Sequence, residues 1–384
     1  MSIAAIFDGY EEDGSSQWFG SYRIVNRIAE GGTAYVFRAE DPETGDAVAL
    51  KTVRSGLSHE IAVLAREITV LRALRHPGIV RFVADGTCDG MPWMAIELLE
   101  GRSLFAQAAM MWEQENRRAN RRDANGRDGN GRDRNGRDGN GRDDRREDRR
   151  SRWRVSADRR QGPATVRLPT PEGSTASEGN WLFSMQEDPL LAFPVRRAAA
   201  GSLPDVLTWI MSLLPALDYI HGRGVVHGDV KPPNVQLGTD GRVTLLDFGL
   251  AHRPRGGAGA FTVNGLRMGT TQYAAPEQIT GEKFDATADI YSLGCILYEL
   301  VTGRIPFDGG SLQDIARRQV TEEPICPSIL VSGLGWELED LIMSMLEKKP
   351  SRRPQTVRDI ASRLSGLLPR CQQSVTSQAT AAHL

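Results

Sequence analysis

The chain has 384 residues, 40% hydrophobic and 25% charged, with a formal net charge of −2. That is enough apolar material for one or two cores, and the near-neutral balance argues against a chain aimed as a whole at nucleic acid or an anionic membrane. Four cysteines (Cys88, Cys295, Cys326, Cys371) show no CxxC pairing and are too sparse for a disulfide framework, which fits a reducing compartment. No apolar run of about 18 residues is present, so no membrane span is predicted. The opening "MSIAAIFDGYEEDG" lacks the basic and apolar regions of a secretory signal, and a cytoplasmic location is expected.

In chain order, "YRIVNRIAE" and "AYVFRAED" alternate in strand fashion around a Gly-Gly turn, and "AVALKTVR" predicts a third strand. In "IAEGGTAYV", residues 28–36, small residues would let backbone amides approach a nucleotide's phosphates. A purely structural hairpin reads the same way. Lys51 stands inside the apolar strand "VALK", where a charge is costly unless paired. Glu67, on the helix predicted for "AREITVLRAL", is the natural partner, with an exposed edge lysine as the alternative. "RHPG" ends that helix.

Residues 113–202 differ in kind. "NGRD" recurs at 125, 130, 135 and 140, and residues 116–160 hold 17 Arg against 9 acidic side chains, a local charge of +8. Such a stretch cannot offset the entropy of ordering, so a mostly disordered insert is expected. It reads as a solvated spacer, or else as a docking arm for an acidic protein or for RNA. Interleaved Asp and the lack of aromatics beyond Trp153 make nucleic acid a poor fit. The apolar patch "WLFSMQEDPLLAFP" at 181–194 is expected to pack on the chain itself.

From Leu203 onward helices are predicted. "VLTWIMSLLPALDYIH" carries Val206, Ile210, Leu213, Leu217 and Ile220 on one stripe, with Pro215 predicting a kink or break. "ADIYSLGCILYELVTG" is nearly all apolar and predicts a buried helix capped by Gly303.

Chemistry concentrates in "VVHGDVKPPN", residues 225–234. Asp229 could accept a proton from a hydroxyl nucleophile, Lys231 could neutralise a transferring phosphoryl, and Asn234 could offer an amide oxygen to a metal. Downstream, Asp247 of "LLDFGL" follows a strand-like run, and a carboxylate there suits Mg²⁺. A polar surface loop, and a turn before Gly249, are the plainer readings of the two stretches.

Taken in order, the Gly-rich turn, "VALK", Glu67, "HGDVKPPN", "DFG", "AAPE" at 274–277 and "DIYSLG" at 289–294 resemble the signature set of the eukaryotic-type Ser/Thr protein kinases, bacterial members included. The resemblance spans roughly 22–112 and 203–366. It implies an α+β, bilobal protein-kinase fold: a small β-rich N-lobe over 22–96 and a larger helical C-lobe over 97–112 and 203–366. An N-terminal extension, 1–21, and a polar tail, 367–384, flank these lobes.

The resemblance also implies roles. The backbone of Ile28, Ala29, Glu30, Gly31, Gly32, Thr33, Ala34, Tyr35 and Val36 would cover the phosphates of ATP. Lys51 would hold the α- and β-phosphates and pair with Glu67. Ala49, Ile96, Glu97, Leu98 and Leu99 would line the adenine pocket. Asp229 would orient and deprotonate the substrate hydroxyl, Lys231 would contact the γ-phosphate, and Asn234 and Asp247 would hold Mg²⁺. Thr270 would contact Asp229 and Lys231, Glu277 would pair with Arg353, and Asp289 would anchor the catalytic loop. Lys231 resembles the Ser/Thr type, so the implied reaction transfers the γ-phosphoryl of ATP to Ser/Thr hydroxyls of proteins, the chain itself included. A weak or inactive pseudokinase scaffold and a small-molecule phosphotransferase are the rival readings.

Three departures from the family pattern stand out. Ala29 and Ala34 replace two of three usual glycines, which predicts a stiffer phosphate-covering turn. Gly228 stands where many members carry the arginine that binds an activation-loop phosphate. Activity is therefore expected without obligatory phosphorylation of Thr262. The third departure is the insert itself, several times the length of an ordinary loop.

Overall fold

The computed structural model describes residues 18–31, 33–127, 203–252 and 270–368. The expectations for Gly32, for Thr262, for 128–202 and for the tail beyond 368 lie outside the described residues.

The first part is an antiparallel sheet. Its strands are β1 (Trp18–Phe19), β2 (Tyr22–Glu30), β3 (Ala34–Glu40), β4 (Ala47–Val53), β5 (Phe82–Cys88) and β6 (Met91–Glu97), in the order β1-β2-β3-β4-β6-β5. The period-2 pattern sorts the two faces. Tyr22, Ile24, Tyr35, Phe37, Val48, Leu50 and Trp93 make one cluster on the outer face. Val36 pairs with Lys51, Lys51 with Met94, and Ala49 with Ile96, which sets these residues together on the other face. Helix α1 (Ser58–Ala73) packs on β4, β5 and β6. Its Leu64, Ile68 and Leu71 join the larger core that continues into the helical part.

The second part begins with β7 (Gly101–Ser103) and helix α2 (Leu104–Arg127). The boundary expected at 113 thus falls inside a helix. Helix α3 (Leu203–His221) is the next described helix, on the far side of residues 128–202. Strands β8 (Val235–Gly238) and β9 (Val243–Leu245) complete a small sheet with β7, and a 3₁₀ turn over Pro232–Asn234 precedes β8. Then come α4 (Pro276–Ile279), α5 (Ala286–Thr302), α6 (Leu312–Thr321), α7 (Pro327–Leu330), α8 (Trp336–Met345) and α9 (Val357–Ser365).

Two helices set the frame. In α5, every residue from Thr287 to Thr302 is buried. The Asp285 side chain accepts from the Thr287 N–H at its start, and Gly303 ends it at φ +72°, where a side chain would be strained. Helix α3 packs on α5, α9 and β9. The expected stripe is buried there, joined by Leu207, Leu214 and Ala216. The break expected at Pro215 is absent: the helix runs through it. Tertiary burial on both sides outweighs the one lost backbone bond. By length and composition α3 could cross a membrane, yet its apolar stripe lies in the protein core.

Candidate functional site

The site forms where the sheet meets the helical part. Lys51 projects from β4 on the face shared with Val36 and Ala49. Its Nζ lies 2.7 Å from Glu67 Oε2, on α1, and 3.2 Å from Asp247 Oδ1, just after β9. The lone lysine of an apolar strand therefore has two carboxylate partners from two separate elements. Burial opposes its charge, but Asp247 and Glu67 outweigh burial and hold the ammonium above its ordinary pKa. Burial pushes the Glu67 carboxyl up to about 7, with Lys51 opposing the shift. Burial acts on Asp247 in the same sense, yet Lys51 and Lys231 hold that carboxylate down at about 2. Asp247 has φ +59°, an uncommon left-handed conformation for a non-glycine. Gly249 donates its N–H to Asp247 Oδ1 at 3.4 Å, a longer contact that fits the turn reading of this residue beside the ligand reading.

The second half of the site is the loop 225–234. Lys231 Nζ lies 2.9 Å from Asp229 Oδ2 and donates to Thr270 Oγ1 at 2.9 Å. Asn234 Nδ2 donates to the Asp229 carbonyl at 2.9 Å and to its Oδ2 at 3.1 Å, which turns the Asn234 amide oxygen to the opposite side. Burial raises the Asp229 pKa, with Lys231 opposing. A carboxylate so placed binds a proton more readily than one in water.

The loop is held from beneath by α5. Asp289, fully buried, accepts from the His227 N–H at 2.9 Å and the Gly228 N–H at 2.8 Å, and lies 2.8 Å from His221 Nε2. Burial would raise its pKa, but the His221 hydrogen bond leads the contacts that hold it below the ordinary value. Gly228 has φ +75°, so glycine answers a backbone need there as well as removing an arginine. Its carbonyl accepts from Gln278 Nε2 at 2.9 Å. His227 is wholly buried: its Nδ1 accepts from the Asp229 N–H at 3.2 Å, so Nε2 carries the proton and donates to the Leu246 carbonyl at 2.9 Å. The ring also meets Phe248 edge-on, centroids 4.7 Å apart. His227 thus links the Asp229 loop to the Asp247 turn. Sequence reasoning gave no role to His221, His227 or Gln278.

The other expected residues divide by face. Ala29 pairs with Val36 across the hairpin, and the Gly31 N–H donates to the Ala34 carbonyl at 2.8 Å. Ile28 is partly exposed, and Thr33 passes its carbonyl to the Arg54 N–H at 2.9 Å. The side chains of Glu30 and Tyr35 are engaged away from Lys51. Glu30 pairs with Arg27 and Arg54, and the Tyr35 ring packs in the outer cluster with both guanidiniums near it. Glu97 accepts from the Arg81 N–H at 2.8 Å and pairs with Arg242 at 3.2 Å, and its own N–H donates to the Arg81 carbonyl at 2.9 Å, so its side chain and its N–H are both engaged. Leu99 packs, half-buried, against the main core. The Glu277–Arg353 pair is doubly bonded, at 2.6 and 2.8 Å, and buried.

Among the described residues no group of three or more His, Cys, Asp or Glu side chains is arranged to hold a metal. The oxygen donors on hand are the Asp247 carboxylate and the Asn234 amide, a set that suits a hard cation sharing its remaining positions with phosphate oxygens and water.

A family profile described as protein kinase domain matches residues 184–363, and one described as phosphotransferase enzyme family matches 24–253. The chain is 39% identical over 149 residues to the serine/threonine-protein kinase PknB of Mycobacterium tuberculosis, covering 39% of this chain and 24% of that one. A probable serine/threonine-protein kinase of Streptomyces coelicolor is 42% identical over 156 residues, covering 40% and 23%. One of Corynebacterium efficiens is 36% identical over 194 residues, covering 50% and 29%. The chain spans about a quarter of the length of these curated relatives. The chain belongs to the phosphotransferase enzymes, whose profile covers more than half of it, and its kinase-domain match and curated relatives are those of bacterial, eukaryotic-like Ser/Thr protein kinases.

Proposed function

We propose that the chain is an ATP- and Mg²⁺-dependent protein kinase that transfers the γ-phosphoryl group to Ser and Thr hydroxyls of proteins, its own chain among them. The observation that carries this reading is the meeting of two charge clusters, Lys51–Glu67–Asp247 and Asp229–Lys231–Thr270, at one junction between sheet and helices.

The residues divide the work. Lys51, fixed by Glu67, neutralises phosphate oxygens from the sheet side. Asp229, raised by burial, receives the acceptor hydroxyl's hydrogen bond and its proton as the new bond to phosphorus forms. Lys231 stands beside Asp229 and offsets charge on the transferring group. Asn234 fixes Asp229 through its amide nitrogen, and its amide oxygen is the atom that would serve a cation. Asp247 and Asn234 are the residues that would hold Mg²⁺, which supplies charge neutralisation at the phosphates when bound. Catalysis of this kind is mainly positioning and electrostatics.

A second reading, a small-molecule phosphotransferase, has the match over 24–253 in its favour. That match stops short of the segment from Thr270 to Ile279 and of the Glu277–Arg353 pair, the part of the chain to which the protein-kinase reading assigns the seating of a protein acceptor. The test is incubation with labelled ATP and Mg²⁺ beside an Asp229→Asn control. Phosphoserine or phosphothreonine formed by the wild type alone supports the proposal. Label passing only to small hydroxylated amines, or to nothing, overturns it.

A further inference from the structure

Below the segment Thr270–Tyr273 lies a buried polar network that the chemistry described above does not use. Gln319, on α6, is wholly buried. Its Nε2 donates to the Gln272 carbonyl at 2.6 Å and more weakly to the Thr271 carbonyl at 3.4 Å. Its Oε1 accepts from the Tyr291 hydroxyl, on α5. Its own carbonyl accepts from Lys348 Nζ at 2.8 Å, and the same ammonium sits 3.4 Å from the Tyr291 hydroxyl and 3.8 Å from the centroid of Phe307. One glutamine thus joins α6, α5 and the stretch after α8 to two successive carbonyls of a non-helical segment.

That segment is no ordinary loop. Its first residue, Thr270, accepts from Lys231, which pairs with Asp229. Its last, Tyr273, passes its hydroxyl to Glu299 at 2.7 Å and its carbonyl to Ser292 at 2.8 Å. Both ends are therefore fixed to the catalytic loop and to α5, and between them Gln319 holds the Gln272 carbonyl and touches that of Thr271. Because Thr270 meets Lys231 beside Asp229, a polypeptide that brings a hydroxyl to Asp229 passes close to this strip. Small-residue packing of Ala316 on Ala274 and Ile279 seats α6 in the same register. Burial pulls the Lys348 ammonium down to about 8, as expected for a charge shut away from water beneath the strip.

We infer that Gln319 and Lys348 are positioning residues for the protein acceptor: they fix the backbone at Thr271–Gln272 and so set how a polypeptide lies beside Asp229, without touching nucleotide. This rests on the kinase reading above. A displacement of about 1 Å at a reacting pair can cost on the order of a hundredfold in rate, so loss of the amide has a measurable effect on transfer.

The experiment uses the full chain, with Asp229→Asn protein as the phosphate acceptor and Gln319→Leu, Lys348→Met and Tyr291→Phe as enzymes. Gln319→Leu is expected to lose roughly 10- to 100-fold in kcat/KM for the protein acceptor, with KM for ATP unchanged. Hydrogen exchange at the Tyr273 and Ala274 amides, which bond to the Thr270 and Thr271 carbonyls, is expected to quicken in the same variant, while the Lys51 strand stays protected. Tyr291→Phe keeps the ring and the fold and is expected to give a smaller loss of the same kind. Equal transfer by Gln319→Leu and wild type, or a parallel loss in the ATP KM, overturns the inference and leaves the kinase reading standing. A wild type that phosphorylates neither this acceptor nor itself overturns both.

Discussion

The buried pair Glu277–Arg353 offers the sharpest test of how the helical part is held. Arg353 uses all five guanidinium N–H groups. Two go to Glu277, one to the Thr287 carbonyl at 2.9 Å, one to the Lys348 carbonyl at 3.0 Å and one to the Glu347 carbonyl at 2.8 Å. Replacing Arg353 by Met removes the cation from a buried carboxylate and leaves three carbonyls short of a donor. Breaking one side of a buried pair costs about 3–5 kcal/mol. For a domain of this size, about 2–4 °C per kcal/mol gives a fall in Tm of roughly 6–20 °C. Glu277→Leu alone strands the guanidinium and is expected to cost a similar amount. The double variant removes both charges together, so its cost is expected to fall well below the sum of the singles, with a coupling of at least about 2 kcal/mol. Urea midpoints and calorimetry on the four proteins close the cycle. An Arg353→Met cost under about 1 kcal/mol, or strict additivity, would refute the claim that this pair bears the load assigned to it.

Other perturbations follow from the site. The Glu67 carboxyl, raised by burial to about 7 from an ordinary 4.5, favours the folded state most below its unfolded value and loses that contribution as pH rises through 7. Urea midpoints of the wild type are thus expected to decline between pH 5 and pH 8 more than those of Glu67→Gln, and equal slopes would contradict this. Asp289→Ala leaves the His227 and Gly228 N–H groups buried without their acceptor. A loss of about 2–4 kcal/mol and a drop in turnover of more than tenfold are expected from denaturation and steady-state assays. Gly228→Ala forces a methyl group into a φ of +75° with the Leu250 carbonyl 3.3 Å away, at a cost of about 1–2 kcal/mol measured the same way. Thr262→Ala is expected to retain transfer activity, because Gly228 offers no side chain to a phosphate there; abolition of turnover would overturn that expectation.

What the sequence makes legible depends on how local the cause is. Lys51 announces a partner because a charge inside an apolar strand needs one, and Glu67 stands one element away. Asp229, Lys231 and Asn234 fall within six consecutive residues, so one loop carries their relationship. By contrast His221, Gln278 and Gln319 act across 47 to 68 positions, and no local pattern distinguishes a buried polar side chain that reaches a distant partner from one facing water. Glu30 and Tyr35 illustrate the opposite limit. They stand within the phosphate-covering stretch, yet alternation along the strand and the nearby Arg27 and Arg54 turn their side chains outward. At Pro215, propensity predicted a break, and burial of Leu213, Leu214, Ala216 and Leu217 prevailed.

Helix α5 has a consequence for how this protein fails under stress. The 225–234 loop hangs from its Asp289, the strip 270–273 from its Ser292 and Glu299, and the Arg353 junction from its Thr287 carbonyl. The same helix forms the middle of the core, so nothing peripheral can loosen to spare the site. Unfolding of the 225–234 loop and global melting of the helical part should share a single midpoint, whereas the outer sheet cluster around Phe37 and Trp93 shares strand β4 with Lys51, so its loss at lower temperature would inactivate the protein first and be repaired on cooling.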